Sequence, residues 1–417
     1  MSTTVPHAGL IAWATWATFL TTLVLFTACA PLSSPKTSLE PPPVDRLHLR
    51  AASFTDLPGW DIDQQGNGLQ AFLRSCDKLL RRDASASLGG AIPGSAGAWQ
   101  GACEAAGARD TRDHQAARLF FEDWFQPYAV LNNGREMGLF TGYFEPELQG
   151  SLTPGEGYDI ALYRRPDDLV SVSLGRFREA MAGERIAGRV VDGALLPYPT
   201  RAEIDTGALA GRSLELVWVD SAVDAFFLHI QGSGRVRLKD GGARRIAYAA
   251  SNGQPYLAIG RSLVERGALT REEVTMQSIR AWLEDNPAGA TAVMQENNSF
   301  VFFRWLDGKT AELGPVGAQG VPLLAGRSLA VDRKFLPLGA PLWLAAQAPD
   351  GDPSRPDQML RRLMVTQDTG GAIRGPVRGD VFWGTGHDAG EIAGRMKHQG
   401  RYWLLLPRDL DVQALVN

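Results

Sequence analysis

Two aspartates stand twelve positions apart in a glycine-rich C-terminal stretch: Asp368 in Gln367-Asp368-Thr369-Gly370-Gly371 and Asp380 in Arg378-Gly379-Asp380-Val381-Phe382-Trp383-Gly384. A third, Asp332, lies upstream in Val331-Asp332-Arg333-Lys334. Glycines allow tight turns and a close approach of backbone to ligand. A carboxyl group beside Phe382 and Trp383 is open to desolvation, which disfavours its charged form and keeps a proton available for general acid catalysis. Cleavage of an ether-like bond such as a glycosidic link is the chemistry that fits.

Other chemistries are weaker. Asp368-Thr369-Gly370 repeats the three-letter signature of aspartic proteases, but that mechanism needs two such aspartates sharing a proton. The run also occurs as Asp205-Thr206-Gly207, but Gln367 and Gly371 fit the signature around Asp368 poorly. The histidines His48, His114, His229, His387 and His398 are scattered without ligand spacing. Three cysteines with no histidine close by make no zinc signature. No metal and no cofactor are expected. A formal charge of -4, from 42 basic and 46 acidic residues, provides no footprint for nucleic acid.

A chain of 417 residues with 44% hydrophobic content has room for two or three domains with real cores. Residues 1–29 contain no Lys, Arg, Asp or Glu, and an apolar stretch from Leu10 to Phe26 meets Thr27-Ala28-Cys29. This pattern is similar to a bacterial lipoprotein signal peptide, with Cys29 as the lipidated first residue of the mature chain. An uncleaved N-terminal membrane helix is the alternative. Either one exports the rest, and Ala30 after the cysteine fits sorting to the outer membrane. Residues 30–46, rich in Pro and Ser, form a flexible tether. In an oxidising compartment Cys76 and Cys103 are expected to form a disulfide, with two buried thiols as the alternative.

Apolar spacing predicts helices over Gly68 to Arg82 and His114 to Phe125. From Gly138 onward short strands and turns dominate. Leu214 to Val219 alternates as a strand, Phe226 to Gly234 is expected to be a strand entering a glycine turn, and Arg235 to Gly242 a strand with a hairpin turn. Helical patches follow over Tyr256 to Arg266 and from Thr270, where Glu273 stands at capping-box spacing, until Asn286-Pro287 ends the second. Strands return at Val301 to Phe303, Leu342 to Leu344, Leu363 to Val365 and Tyr402 to Leu405. Glu145 and Glu147, flanking Pro146, are expected on a solvated edge.

Five runs occur in a fixed order: Phe140-Thr141-Gly142-Tyr143-Phe144, Thr200-Arg201-Ala202-Glu203-Ile204, Ile230-Gln231-Gly232-Ser233-Gly234, Tyr248-Ala249-Ala250-Ser251-Asn252-Gly253 and Ser299-Phe300-Val301-Phe302-Phe303. With the C-terminal aspartates, whose region looks like a three-Asp domain, they resemble the membrane-bound lytic murein transglycosylase A family across most of residues 60–410. The resemblance implies a mainly β fold with peripheral helices. A double-psi β-barrel (residues 47–145 plus 309–417, the three-Asp region at about 325–410) would be interrupted by an inserted second β-barrel (146–308), with a groove between them. It implies that Asp380 protonates the glycosidic oxygen between N-acetylmuramic acid and N-acetylglucosamine, then as carboxylate takes the proton of the muramic acid 6-hydroxyl as that oxygen attacks the anomeric carbon. The product carries a 1,6-anhydro end and no water enters.

Asp368 is the second catalytic candidate, orienting Asp380 or supporting charge, with a turn carboxylate held by backbone N–H groups as the alternative. Thr141, Gly142, Tyr143, Gln231, Ser233 and Gly234 are the expected substrate contacts, though Gln231 to Gly234 also fits a plain hairpin turn. Asp332 joins this set, with a turn-fixing role as its alternative. The implied partners are peptidoglycan glycan strands, the outer membrane through the lipid anchor, and proteins of cell-wall synthesis or hydrolysis. The implied setting is an outer-membrane lipoprotein facing the periplasm of a Gram-negative bacterium. A non-catalytic glycan-binding lipoprotein is the rival, because fold does not fix activity.

Overall fold

Long apolar strands near the C-terminus set the architecture. The computed structural model describes residues 44–416 apart from 182 and 309–311, so the leader, Cys29 and most of the tether lie outside the described residues. β13 (Ser328–Val331), β14 (Pro341–Ala348) and the middle of β15 (Gln358–Asp368) are nearly continuous runs of buried side chains. That texture belongs to strands covered on both faces rather than to a half-exposed sheet.

They join β16 (Arg378–Thr385), β17 (Lys397–Pro407) and β3 (Gly138–Glu145) in the order β17-β14-β15-β13-β16-β3, and a further β17–β3 pairing closes the ring. The result is a closed six-stranded barrel without free edges. β2 (Phe125–Asn132) extends β17, and β1 (Leu47–Ala51) extends β2. Two pairings within the ring are parallel, β13 with β15 and β16 with β3.

Three helices, α1 (Gln65–Leu79), α2 (Gly97–Gly107) and α3 (His114–Trp124), cover one side of this barrel. α1 lies directly on β15: a Cβ at Gly68 would meet the Leu363 side chain at 2.6 Å, so only glycine permits that approach. Phe72 packs at ring distances of 6.2, 5.9 and 5.7 Å from Phe120, Phe121 and Phe125. Truncating so buried an aromatic typically costs about 3–5 kcal/mol. Cys76 and Cys103 are joined as a disulfide between α1 and α2, 27 positions apart. α2 falls in a stretch whose Gly, Ala and Ser content gives no helical signal by apolar spacing.

At Pro146 the chain leaves the barrel and builds a second sheet. Its order is β12-β11-β10-β4-β9-β5, from β4 (Glu147–Ser151), β5 (Ile160–Tyr163), β9 (Glu215–Val219), β10 (Ser233–Leu238), β11 (Ala243–Ser251) and β12 (Val301–Leu306). A bridge from Arg164 to Phe303 brings its two edges together. A small three-stranded sheet of β6 (Val170–Ser173), β7 (Arg185–Val191) and β8 (Ala194–Pro197) is attached to it in sequence.

Several local expectations need correction. Residues Ala222–Gln231 form a helix, not a strand. The Ser221 side chain accepts from Asp224 N–H at one end, and Gly232 at φ 79° caps the other. The aromatic run Phe226-Phe227 is buried against helices, which overrides its strand propensity. Thr270 and Glu273 do bond each other, yet the helix begins at Met276 with Thr275 as its cap. Pro287 starts the next helix, Pro287–Gln295, at a first-turn position where proline is well suited. The helix His387–Arg395 was not anticipated.

Candidate active site

β13 organises the chemistry. Its Ala330 is level with Asp368 on β15 and with Asp380 on β16, so the two aspartates occupy one row separated by a single strand. Two strand spacings put their backbones roughly 9–10 Å apart. On the other side of β16, Asp380 pairs with Thr141 of β3.

Asp380 keeps a fifth of its side chain exposed. Its Oδ1 accepts from Thr141 Oγ1 and from Arg378 Nη1, while Oδ2 accepts no hydrogen bond among the described residues. Arg378 is fixed in turn: Nη1 also donates to the Gly379 carbonyl at 2.7 Å and Nη2 to Thr141 Oγ1 at 2.9 Å. One oxygen is thus held and the other is available to exchange a proton with a ligand. Arg378 was missed in the sequence, although its i, i+2 relation to Asp380 on a strand puts both on one face.

Asp368 is enclosed more fully. Its Oδ1 accepts from the backbone N–H of Ala318 at 2.8 Å and of Thr369 at 2.9 Å, and the Tyr143 hydroxyl donates to Oδ2 at 2.9 Å. Burial pushes the Asp368 pKa up, these bonds oppose the rise, and the charge of Asp380 adds to it. Burial and then the Asp368 carboxylate hold the Tyr143 hydroxyl well above the usual phenol range, so it stays a proton-bearing donor. The Tyr143 ring lies 5.3 Å from Phe382, which is 2% exposed.

The second sheet's region contributes Tyr256, also missed. Although 44% of the residue is exposed, burial around its hydroxyl and the charge of Asp380 raise its pKa. It follows the Ser251-Asn252-Gly253 run by a few positions, the one signal available for it.

The remaining candidates do other work. Gly142 is a packing position: a Cβ there would come within 2.7 Å of the Ala393 backbone and 2.8 Å of the Trp383 ring. Gln231 Oε1 accepts from Phe144 N–H at 3.2 Å, tying the second sheet's helix to β3. Ser233 is half-buried at the start of β10. Gly234 is buried 3.2 Å (as a built Cβ) from the Pro146 carbonyl. Asp332 is 4% exposed, and its two oxygens accept from Lys334 N–H at 3.0 Å and Gly375 N–H at 2.9 Å. It fixes turns and offers no oxygen to a sugar. His229 is a core histidine whose Nδ1 accepts from Val301 N–H at 3.0 Å and whose pKa burial depresses strongly.

Glu145 also departs from expectation. Its carboxylate is fully buried, accepting from Arg245 Nε at 2.8 and 3.1 Å and from Thr385 Oγ1 at 2.6 Å. It locks β3, β16 and β11 together where the chain passes between sheets. Glu147 is half-buried on β4, a strand flanked by β10 and β9 and not an edge, and it pairs with Arg235 and Arg237. Among the described residues, no group of three His, Cys, Asp or Glu is arranged to hold a metal ion.

This fold, a closed six-stranded barrel interrupted by a second sheet, is similar to that of solved lytic transglycosylases. Residues 139–304 match the MltA specific insert domain and residues 327–406 match the 3D domain. A membrane-bound lytic murein transglycosylase A from Vibrio cholerae is 35% identical over 291 residues, covering 69% of this chain and 70% of that protein. The crystal structure of a membrane-bound lytic murein transglycosylase from Agrobacterium tumefaciens superposes with a TM-score of 0.75 at 36% identity, covering 87% of this chain and 98% of that one. E. coli MltA with bound chitohexaose superposes with a TM-score of 0.58 at 30% identity, covering 75% and 83%. The chain belongs to the membrane-bound lytic murein transglycosylase A family.

Proposed function

We propose that this protein cleaves the β-1,4 bond between N-acetylmuramic acid and N-acetylglucosamine in peptidoglycan without water, leaving 1,6-anhydromuramic acid ends. One observation carries the proposal above others: Asp380 has one oxygen held by Thr141 and Arg378 and the other unoccupied, with a fifth of the side chain exposed. Such a carboxyl can give a proton to the glycosidic oxygen and, as carboxylate, accept the proton of the 6-hydroxyl while that oxygen closes on the anomeric carbon. One group then serves where a hydrolase places two around the bond. Asp368, held by three donors, supports the positive charge that develops on the sugar and orients Tyr143. The sugar contacts fall to Tyr143, Tyr256 and Ser233. Relatives named lytic transglycosylases and a neighbour solved with a chitin oligosaccharide support this substrate class.

The barrel is of double-psi type in this proposal, supported by its six strands and two parallel pairings. Residues 47–145 with 309–417 form the catalytic domain, and 146–308 the inserted one. Cys29 carries lipid and holds the chain at the outer membrane, facing the periplasm; the relatives' description as membrane-bound supports an anchor. No helix among the described residues is long and apolar enough to cross a membrane.

The test is product mass. Purified protein digesting murein sacculi should release muropeptides with anhydro ends. Products one water heavier would make it a hydrolase, and binding without release would make it a wall-binding protein.

A further inference from the structure

A cleft of 460 Å³ opens between the start of α1 and the loop before β13, lined among others by Asp63, Gln64, Asn67, Gln70, Arg327 and Arg362. Its two arginines differ sharply. Arg327 is 7% exposed and donates to both oxygens of Asp63 at 2.7 and 2.8 Å and to the Leu363 carbonyl at 3.1 Å. Asp63 also accepts from Leu363 N–H at 2.9 Å, so its oxygens are engaged.

The Arg362 side chain makes no hydrogen bond and no ion pair among the described residues. Its guanidinium carbon stands 5.8 Å from the centroid of the Trp383 ring. Gly326, at φ 66°, gives it room, because a Cβ there would collide with Nη1. Among the described residues, two guanidinium groups therefore face one carboxylate, leaving one positive charge unmatched.

A second feature adds to that charge. α1 begins at this cleft without a side-chain cap and without an acidic residue in its first turn. The positive end of a fifteen-residue helix is thus aimed at the same space. Burial first, and Arg327 second, press the Arg362 pKa down, with the charge of Asp63 opposing them; an arriving anion would counter the repulsion from Arg327. The cleft also adjoins the chemistry: Gly326 N–H donates to the Phe382 carbonyl at 2.7 Å, two residues beyond Asp380.

We propose that this cleft is a carboxylate subsite that takes a free carboxylate of the peptide stem carried by the glycan strand. It makes peptide-bearing murein a tighter substrate than bare glycan. A planar guanidinium beside an indole, with its donors unoccupied among the described residues, suits bidentate capture of a carboxylate. The inference rests on the transglycosylase proposal above and extends it to the non-sugar part of the substrate.

The full chain in detergent can be assayed on soluble glycan strands that keep their peptides, on the same strands stripped by an amidase, and on strands whose stem carboxylates have been amidated. KM is expected to be about tenfold lower on peptide-bearing strands, the lower end for hydrogen bonds to a charged group. Amidated strands should behave like stripped ones with the unaltered protein, which removes any concern about folding of a variant. Arg362→Gln should close the gap between intact and stripped strands, and Arg362→Lys should restore only part of it. Equal KM on intact and stripped strands, or a gap that survives Arg362→Gln, overturns the subsite while leaving the transglycosylase proposal standing. Absence of anhydro products from every strand overturns both.

Discussion

The paired strands β3 and β16 carry two carboxylates with opposite fates. Near one end, Asp380 pairs across with Thr141, has one oxygen unoccupied and meets solvent. Near the other, Glu145 pairs across with Thr385, is fully buried, and has both oxygens held by Arg245 and Thr385. Both residues are acidic and both neighbour a threonine and an arginine. What separates them is access and a free lone pair. A carboxylate whose acceptors are all engaged inside the fold can only hold the fold together, while one with an open oxygen can exchange a proton with a ligand.

The sharpest way to break this contrast is to remove the open carboxyl. Asp380→Asn should lower release of anhydro muropeptides by about a thousandfold, within the range for loss of a general acid or base. Sacculus pull-down and thermal melting should be unchanged. A variant that still releases muropeptides at near-normal rate would transfer the role elsewhere.

Removing the buried carboxylate should act on stability instead. Glu145→Ala breaks the ion pair that a fully buried carboxylate makes with Arg245, an effect of about 3–5 kcal/mol in urea titrations. Replacing Glu145 and Arg245 together by apolar residues of similar volume should regain most of that. If the single variant resists urea as the parent does, Glu145 does not hold the fold together.

Smaller effects sharpen the picture around Asp368. Tyr143→Phe deletes one of its three donors, about 1 kcal/mol, and should move the acid limb of the pH–activity profile upward, because that bond favours the ionised carboxylate. An unmoved limb would separate Asp368 from the rate.

The least effect expected is on the pH dependence of folding. Burial raises the Asp368 pKa in the folded protein above its unfolded value. As pH rises through that interval the unfolded chain releases the proton first, so folding stability falls. Asp368→Asn should flatten this slope in denaturation curves measured from about pH 4 upward. A slope identical to the parent's would mean the group does not titrate there.

Much of this was legible in the residues. The strands of the barrel announce themselves as apolar runs, and Asp368, Asp380, Thr141 and Tyr143 all converge on one rim. Their convergence is a matter of register: Ala330 aligns with both aspartates only because β13 runs parallel to β15 and antiparallel to β16. No local pattern encodes that. The helix Ala222–Gln231 was misassigned because its aromatic run has strand propensity, while burial against other helices decides its form. Glu145 looks like any exposed acid until Arg245, a hundred positions later, is brought to it. Gly142 and Gly234 seem suited to ligand approach, yet each is required by protein packing instead.

The central claim is that the 6-hydroxyl, not solvent, closes the reaction at Asp380. Digesting sacculi in heavy-oxygen water and weighing the new muramic ends tests it most directly. Ends free of the label are expected; label in those ends from the earliest time points would contradict attack by the 6-hydroxyl.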